Sequence, residues 1–347
     1  MQTQLRQAVV VAFGRTPYCK ARKGSFAQLH PVEYGAQTLL GVLARVPQLR
    51  PEDIGDVIMG CAMPFGVQGG NMARLIVQRA GLPDCVTAQT VNRYCSSGLQ
   101  TIATAANAIR CGEEDVVIAG GVESMSLVPM LVGAEDADPW LAEHRPEVYT
   151  TMGITAENVA RQWGISRADM DAMAVESHRR AAQAQAGGCF DGQIIPITVP
   201  GPDGGEVVVC RDEGIRPGTT AETLAGLKPC FLENGSVTAA TSSQMTDGAG
   251  FVVLMSEEKA AELGVKPLAR FVSFATGGVP AEVMGVGPIE AVPKALRKAG
   301  LTLEQMDTIE LNEAFASQAL AVIRTLGMDP ARVNPWGGAM ALGHPLG

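Results

Sequence analysis

The sequence has few histidines, few aromatic residues and no long apolar run. Four of its 347 residues are histidines, and 5% are aromatic. No apolar run reaches the roughly 18 residues that a membrane-spanning helix needs, so we expect no membrane insertion. The net charge of −9 excludes a general attraction to nucleic acid. An anionic ligand would therefore need a local group of basic residues.

The eight cysteines are scattered, and the sequence has no Cys-x-x-Cys pair. This spacing argues against a structural zinc site and against a disulfide framework. We therefore expect neither a metal nor a covalently bound cofactor. Scattered thiols and an N-terminus without a signal-peptide pattern predict a cytoplasmic location.

Short apolar segments alternate with segments of helical period in the first third of the chain. The predicted strands are 8–12, 56–60, 88–91 and 116–119, and the predicted helices are 31–46, 71–80 and 97–110. This alternation is typical of an α/β fold with a parallel or mixed sheet. The segment 122–236 has polar turns and a long helix that begins after Ser166, and the strand pattern resumes at 250–255. We interpret 122–236 as an insertion.

Two distant segments resemble each other. Residues 49–60 align without gaps to residues 301–312, and each follows an amphipathic segment, 31–46 or 288–299. A repeat with so long a period indicates two similar domains. We therefore predict a first half at 1–121 completed by 237–266, the inserted domain at 122–236, and a second half at 267–347.

Cys95 lies where a predicted strand passes into the helix 97–110. Unpaired N–H groups and the helix dipole favour an anion there, so we expect the pKa of this thiol to fall from about 8.5 toward neutrality. A thiolate is a nucleophile suited to covalent catalysis. The alternative is a small residue of the core.

The second half supplies two further candidates. Asn312 follows a predicted strand at 308–311, and His344 lies in the glycine-rich segment 334–345. Pro345 disfavours the helical conformation at His344, so we expect the imidazole to project from a turn. Such a group suits a general base or an oxyanion donor.

Five motifs resemble those of the thiolases, and the resemblance runs along the whole chain. They are Val-Asn-Arg-Tyr-Cys-Ser-Ser-Gly at 91–98, Gly-Gly-Val-Glu-Ser-Met at 120–125, Met-Gly-Ile-Thr-Ala-Glu at 152–157, Asn-Glu-Ala-Phe-Ala at 312–316 and Gly-His-Pro at 343–345. The resemblance implies an α/β fold with two duplicated halves in a layered αβαβα arrangement and an inserted loop domain.

The resemblance also implies an activity. A thiolase cleaves 3-ketoacyl-CoA with coenzyme A to acetyl-CoA and a shortened acyl-CoA, or catalyses the reverse condensation. Cys95 would carry the acyl group, and His344 would activate its thiol. Asn312 would hold a water that, with His344, stabilises a thioester oxygen, and the N–H of Cys95 would serve the other oxyanion hole. Coenzyme A would be a substrate.

Three further residues match positions that contact coenzyme A or substrate in thiolases. They are Arg216, Ser243 and Met152. Thr151, where biosynthetic thiolases tend to have histidine, favours the degradative type of fatty acid β-oxidation. Thiolases are usually dimers or tetramers, so we expect a homodimer or homotetramer.

One departure from the family pattern leaves alternatives open. Thiolases continue past Gly-His-Pro to a second cysteine, whereas this sequence ends at Gly347. We therefore expect the second half to be truncated at its carboxyl end. The alternatives are a non-catalytic protein that binds coenzyme A or acts as a scaffold, and a condensing enzyme of the ketosynthase type.

Overall fold

The computed structural model describes residues 5–130 and 136–347. Residues 1–4 of the predicted first half and 131–135 of the predicted insertion lie outside the described residues. The strands are β1 (Ala8–Arg15), β2 (Cys19–Lys20), β3 (Asp56–Gly60), β4 (Thr87–Val91), β5 (Val116–Glu123), β6 (Ile197–Pro200), β7 (Glu206–Val209), β8 (Thr246–Ser256) and β9 (Ala269–Arg270). The helices are α1 (Pro31–Leu43), α2 (Met72–Arg79), α3 (Ser97–Cys111), α4 (Pro139–His144), α5 (Met152–Gln162), α6 (Arg167–Ala186), α7 (Ala221–Ala225), α8 (Glu257–Glu262), α9 (Gly287–Ala299), α10 (Ala316–Leu326) and α11 (Ala339–Leu342).

A mixed sheet with strand order β4-β3-β5-β8-β1-β9 forms the centre of the fold. Strand β3 pairs in parallel with β4 and β5. Strand β8 is antiparallel to both β5 and β1. Strands β5 and β8 are neighbours in the sheet, although 122 residues lie between Glu123 and Thr246. The segment between them therefore leaves the sheet and returns to it. The α/β class is therefore confirmed.

Helices cover both faces of this sheet. On one face, α1 and α2 pack through buried residues such as Tyr34, Leu39 and Ile76. On the other face, α3 packs through Ala105, Ala106 and Ile109 against Ile58 and other strand residues. These strands are apolar on both sides because both sides are covered, as in the parallel sheets of α/β proteins.

The rest of the chain builds a second group of helices. Helices α5, α6 and α10 share an apolar core that includes Ala156, Met170 and Ala316. A capping box begins α6, in which the Ser166 side chain accepts from the backbone of Asp169 and the Asp169 carboxylate accepts in return. This capping pattern stabilises the start of the long helix that the sequence predicts there.

The internal repeat is visible in the structure. Helices α1 and α9 are each followed by a one-turn 3-10 helix, at Pro51–Asp53 and Leu303–Gln305. The first copy then forms β3, whereas the second forms only an isolated parallel bridge between Ile309 and Val333. The strand predicted at 308–311 is therefore wrong for the described residues, because a strand needs partner residues along its length.

No helix in the described ranges has the length and apolar character that crossing a bilayer requires.

Candidate active site

Cys95 lies in a sharp turn between β4 and α3. Tyr94 has a φ of +44°, which is uncommon for a residue other than glycine. Its N–H donates to Oδ1 of Asn92 at 2.8 Å, and the Arg93 N–H donates to Oγ of Ser97 at 2.8 Å. These bonds hold the left-handed turn, and Cys95 is exposed at its end.

The expected ionisation of Cys95 is wrong. Although the residue is exposed, its sulfur lies close enough to the protein to lose part of its hydration, and this desolvation raises the pKa of the Cys95 thiol to about 11. The negative charge of Glu123 raises this pKa further, and the residue's own N–H lowers it. The start of α3 therefore does not outweigh desolvation, and the thiol is protonated near neutral pH.

The residues after His344 lie against β3, β5 and the first turn of α3, the helix that follows Cys95. The Gly347 N–H donates to Oε2 of Glu123 at 2.8 Å. The Gly347 carbonyl oxygen lies so close to Gly60 and Gly121 that a Cβ at either position would collide with it. A cavity of about 270 Å³ is lined in part by Gly98, Glu123 and Gly347. The segment that follows His344 therefore lies against β3, β5 and Gly98, three residues after Cys95.

His344 is fixed through its backbone. Its N–H donates to the Gln244 carbonyl at 3.1 Å and to Oγ1 of Thr246 at 3.0 Å. It forms a parallel bridge with Met245, so His344 is not helical, as Pro345 predicts, but it lies in an isolated bridge instead of the expected turn. Desolvation lowers the pKa of the His344 imidazole to about 4. The ring is therefore neutral near pH 7 and can accept a proton.

Asn312 and His344 meet. Nδ2 of Asn312 lies 3.3 Å from Nε2 of His344, and Asn312 is exposed. The exposed amide and the half-buried imidazole thus lie side by side, where both can contact a bound molecule. The sequence placed these residues 32 positions apart, and the fold brings them into hydrogen-bonding distance.

A buried carboxylate holds the loop that carries His344. Glu313 accepts from Oγ of Ser177 at 2.7 Å, from Nδ2 of Asn334 at 3.0 Å and from the Met340 N–H at 3.2 Å. Desolvation raises the pKa of the Glu313 carboxyl, and these three donors oppose that rise. Because Met340 lies on α11, which leads directly to His344, Glu313 fixes the approach of the imidazole.

The three predicted ligand contacts occupy different places. The Ser243 N–H donates to the Ala314 carbonyl at 2.9 Å, which places Ser243 beside the motif of Asn312. Met152 is half-buried at the first position of α5. Arg216 is exposed, and within the described residues its guanidinium has no ion-pair partner.

The segment that leads to Arg216 is tied to the first half. Asp212 is buried and forms a two-point ion pair with Arg15, at 2.7 and 2.9 Å. The Gly214 carbonyl accepts from Nε2 of Gln244 at 2.8 Å. The same amide donates to the Met340 carbonyl at 3.1 Å. Gln244 therefore joins the Arg216 segment to the histidine loop.

Sequence reasoning missed the role of the glutamates in three of the motifs. Glu123 accepts from the N–H of Ala62 at 2.8 Å and from Nε2 of Gln68 at 2.7 Å. Glu157 accepts from the N–H groups of Ser236 and Val237. Like Glu313, both are buried. The available signal was that each of these three motifs contains a glutamate; once such a carboxylate is buried, it must be hydrogen-bonded.

Among residues 5–130 and 136–347, no group of three or more histidine, cysteine, aspartate or glutamate side chains is placed to hold a metal ion. The groups at the candidate site are the thiol of Cys95, the imidazole of His344 and the amide of Asn312. The Cys95 thiol and the neutral His344 imidazole are groups of the kinds that acyl transfer uses as nucleophile and general base.

Comparisons with known proteins extend this class to a family. The family models described as the thiolase N-terminal and C-terminal domains match residues 8–258 and 265–347. The chain is 52% identical to the 3-ketoacyl-CoA thiolase of Bacillus subtilis, with 99% of this chain and 90% of the relative covered. It is 44% identical to the human peroxisomal 3-ketoacyl-CoA thiolase, with 100% and 82% covered.

A solved structure gives the same result. The crystal structure of the Bacillus anthracis acetyl-CoA acetyltransferase matches with a TM-score of 0.92 and 40% identity, over 99% of this chain and 89% of that one. The chain therefore belongs to the thiolase family. These matches favour neither the ketosynthase nor the scaffold alternative, and they give no support to the expected truncation of the second half.

Proposed function

We propose that this chain is an acyltransferase that cleaves 3-ketoacyl-CoA with coenzyme A and passes the acyl group through Cys95. The contact between Asn312 and His344 carries this proposal, because it sets an amide donor beside an imidazole whose following residues lie against Glu123 and Gly98, near Cys95. The relatives from Bacillus subtilis and human are named 3-ketoacyl-CoA thiolases, which supports the choice of substrate.

The first step forms a bond between the Cys95 sulfur and the keto carbon. The thiol proton passes to His344, which is neutral near pH 7 because its pKa is lowered to about 4. The tetrahedral oxyanion is stabilised by hydrogen-bond donors, each worth about 3 kcal/mol. The bond between the keto carbon and its neighbour then breaks, and the departing enolate of acetyl-CoA takes up the proton held by His344, which leaves the imidazole neutral for the second step.

The second step transfers the acyl group. The thiol of coenzyme A attacks the thioester on Cys95, and its proton passes to His344. The bond from the acyl carbon to the Cys95 sulfur breaks, and the sulfur regains a proton. Asn312 lies beside the imidazole in both steps, and the resemblance supports its role in holding a water there.

Coenzyme A would act as a substrate, bound by Arg216, Ser243 and Met152. The guanidinium of Arg216 is exposed and suits a phosphate. Phe231 and Phe315 pack edge to face with centroids 6.0 Å apart, and Phe231 lies against Gly153, next to Met152. These rings would form an apolar wall for the acyl chain.

The division into domains supports the same interpretation. The sheet strand β5 ends at Glu123, and the next strand of that sheet after it, β8, begins at Thr246. This supports an inserted domain at 122–236 and a first half at 1–121 completed by 237–266. The two family matches meet between 258 and 265, which supports a second half at 267–347.

The partner would be a second copy of the chain, in a homodimer. Strand β4 ends the strand order of the sheet, and exposed apolar residues lie close to it, including Leu75 at 47%, Tyr94 at 60% and Leu99 at 61% exposure. An exposed edge of this kind favours pairing with another strand. Light scattering should give a dimer that Leu75→Glu weakens and that Leu268→Glu, on another exposed surface, leaves intact. A monomeric wild type would contradict the dimer.

The location would be the cytoplasm, because the described cysteines are free thiols, as reducing compartments favour. Some relatives are named peroxisomal, so cell fractionation decides the point, and recovery in peroxisomes would contradict the cytoplasm.

The activity is tested by incubating the purified protein with acetoacetyl-CoA or a longer 3-ketoacyl-CoA and coenzyme A. We expect two molecules of acetyl-CoA from each acetoacetyl-CoA, and acetyl-CoA and the shortened acyl-CoA in equal amounts from a longer substrate. A parallel incubation contains malonyl-CoA, and its consumption in place of thiolysis would favour a ketosynthase-type enzyme. The absence of turnover with any of these thioesters would favour a binding protein.

A further inference from the structure

Helix α6 contacts both functional loops through two consecutive residues. Ser177 and His178 are both buried, at 3% and 4% exposure. Adjacent residues on a helix point in directions about 100° apart, so one turn of the helix can serve two neighbouring segments. Neither side chain takes part in the chemistry described above.

Ser177 supports the histidine loop. Its Oγ donates to Oε2 of Glu313 at 2.7 Å and accepts from the Gly338 N–H at 3.1 Å. Arg180, on the same helix, donates to the Val333 carbonyl at 2.6 Å. This face of α6 therefore fixes the segment that leads to His344.

His178 supports the arginine segment. Its Nδ1 accepts from the Arg216 N–H at 3.1 Å. Burial and the nearby Arg216 charge lower the pKa of the His178 imidazole to about 4, so Nδ1 stays free to accept the bond near neutral pH. The next turn is closed by the Thr219 hydroxyl, which donates to the Arg216 carbonyl at 2.9 Å.

We infer that His178 is a positioning residue for coenzyme A: it fixes the backbone of Arg216 so that the exposed guanidinium is presented to the nucleotide phosphates, while Ser177 separately fixes the loop of His344. This inference rests on the proposed function and on the assignment of Arg216 to coenzyme A. It predicts that replacing His178 changes the preference for a CoA thioester, whereas replacing its neighbour Ser177 changes the activity on any thioester.

The test compares two thioesters of the same acyl group. One is acetoacetyl-CoA, and the other is acetoacetyl-N-acetylcysteamine, which lacks the nucleotide. His178→Phe removes the acceptor and leaves the Arg216 N–H unpaired, so the preference for the CoA thioester in kcat/KM should fall about tenfold. The kcat/KM for the truncated thioester, measured with saturating coenzyme A as the acceptor, should stay at the wild-type level. Ser177→Ala should reduce activity on both thioesters.

Matched variants separate positioning from general damage. His178→Asn places an amide oxygen about where Nδ1 lies, and it should restore most of the preference. His144→Phe makes the same change at an exposed histidine and should have no effect. In the Arg216→Ala background, His178→Phe should cause no further loss of preference, because both changes act through one guanidinium.

Each outcome has a separate meaning. If His178→Phe lowers activity on both thioesters equally, or if its effect adds to that of Arg216→Ala, the positioning role is wrong. If Arg216→Ala itself leaves the preference for the CoA thioester unchanged, the assignment of Arg216 to coenzyme A is wrong, and so is the inference about His178. If wild type cleaves neither thioester, the proposed function fails.

Discussion

The Asn312 amide lies 3.3 Å from the His344 imidazole. The buried Glu313 fixes the segments that carry both residues, since it follows Asn312 directly and accepts from the Met340 N–H near His344. A pair held in this way needs little reorganisation during a reaction, which is the condition under which hydrogen-bond donors stabilise a developing charge most strongly.

Replacing Asn312 tests its part in the reaction. We expect Asn312→Ala to lower kcat by about 10²–10³, as the loss of an oxyanion donor does, with a small change in KM. Steady-state thiolysis measures both constants. Asn107→Ala, at an exposed position on α3, is the control and should behave as wild type. An unchanged kcat in Asn312→Ala would show that the amide is not needed.

The acid limb of the pH–rate profile reports on His344. Desolvation lowers the pKa of the imidazole to about 4, so the base stays unprotonated and activity persists until the pH falls toward that value. Asn312→Asp adds a negative charge beside the ring, favours the imidazolium and should move the acid limb to higher pH. The kcat/KM values from brief assays at each pH measure the limb. Equal limbs in both proteins would assign that ionisation to another group.

Alkylation of Cys95 tests its ionisation state in the free protein. Desolvation raises the pKa of this thiol to about 11, above the usual value of about 8.5. Iodoacetamide, which reacts with the thiolate, should therefore modify Cys95 slowly at pH 7 and increasingly fast through pH 10. Peptide mapping separates Cys95 from exposed Cys85, which serves as the internal control. A rate that levels off below pH 8 would show that Cys95 is already a thiolate near neutral pH, as the sequence predicts.

The buried ion pair between Arg15 and Asp212 ties the arginine segment to the first half. Asp212→Ala leaves a guanidinium that is only 13% exposed without its partner, and such a loss costs about 3 kcal/mol. Urea unfolding should show this decrease in the free energy of unfolding. Asp203→Ala, in an exposed turn, should leave it unchanged. Equal stability of the two variants would mean that the pair is solvated.

Much of the first half could be predicted from the sequence because its signals are local. The strand at 56–60 was placed correctly, since both of its faces are apolar and covered. The long helix that begins after Ser166 was also placed correctly, because Ser166 and Asp169 form a capping box at its start. The Asn312 and His344 site followed from motifs, and the structure brings the two side chains together.

The errors concern properties that depend on distant residues. The pKa of Cys95 is raised by desolvation and by Glu123, which comes from another strand, and neither is visible in the sequence around the cysteine. The bridge at Ile309 stops short of a strand because strand formation depends on the partner. Buried glutamates such as Glu313 were missed because a charged residue in a sequence favours the surface until its donors are known.

The central claim is that the acyl group passes through Cys95, and mass spectrometry tests it most directly. The protein is mixed with a 3-ketoacyl-CoA without free coenzyme A, quenched in acid and digested. The account predicts an acyl adduct on the peptide that contains Cys95, its loss when coenzyme A is added, and no adduct in Cys95→Ala. An unmodified Cys95 in a protein that still cleaves the substrate would contradict the account.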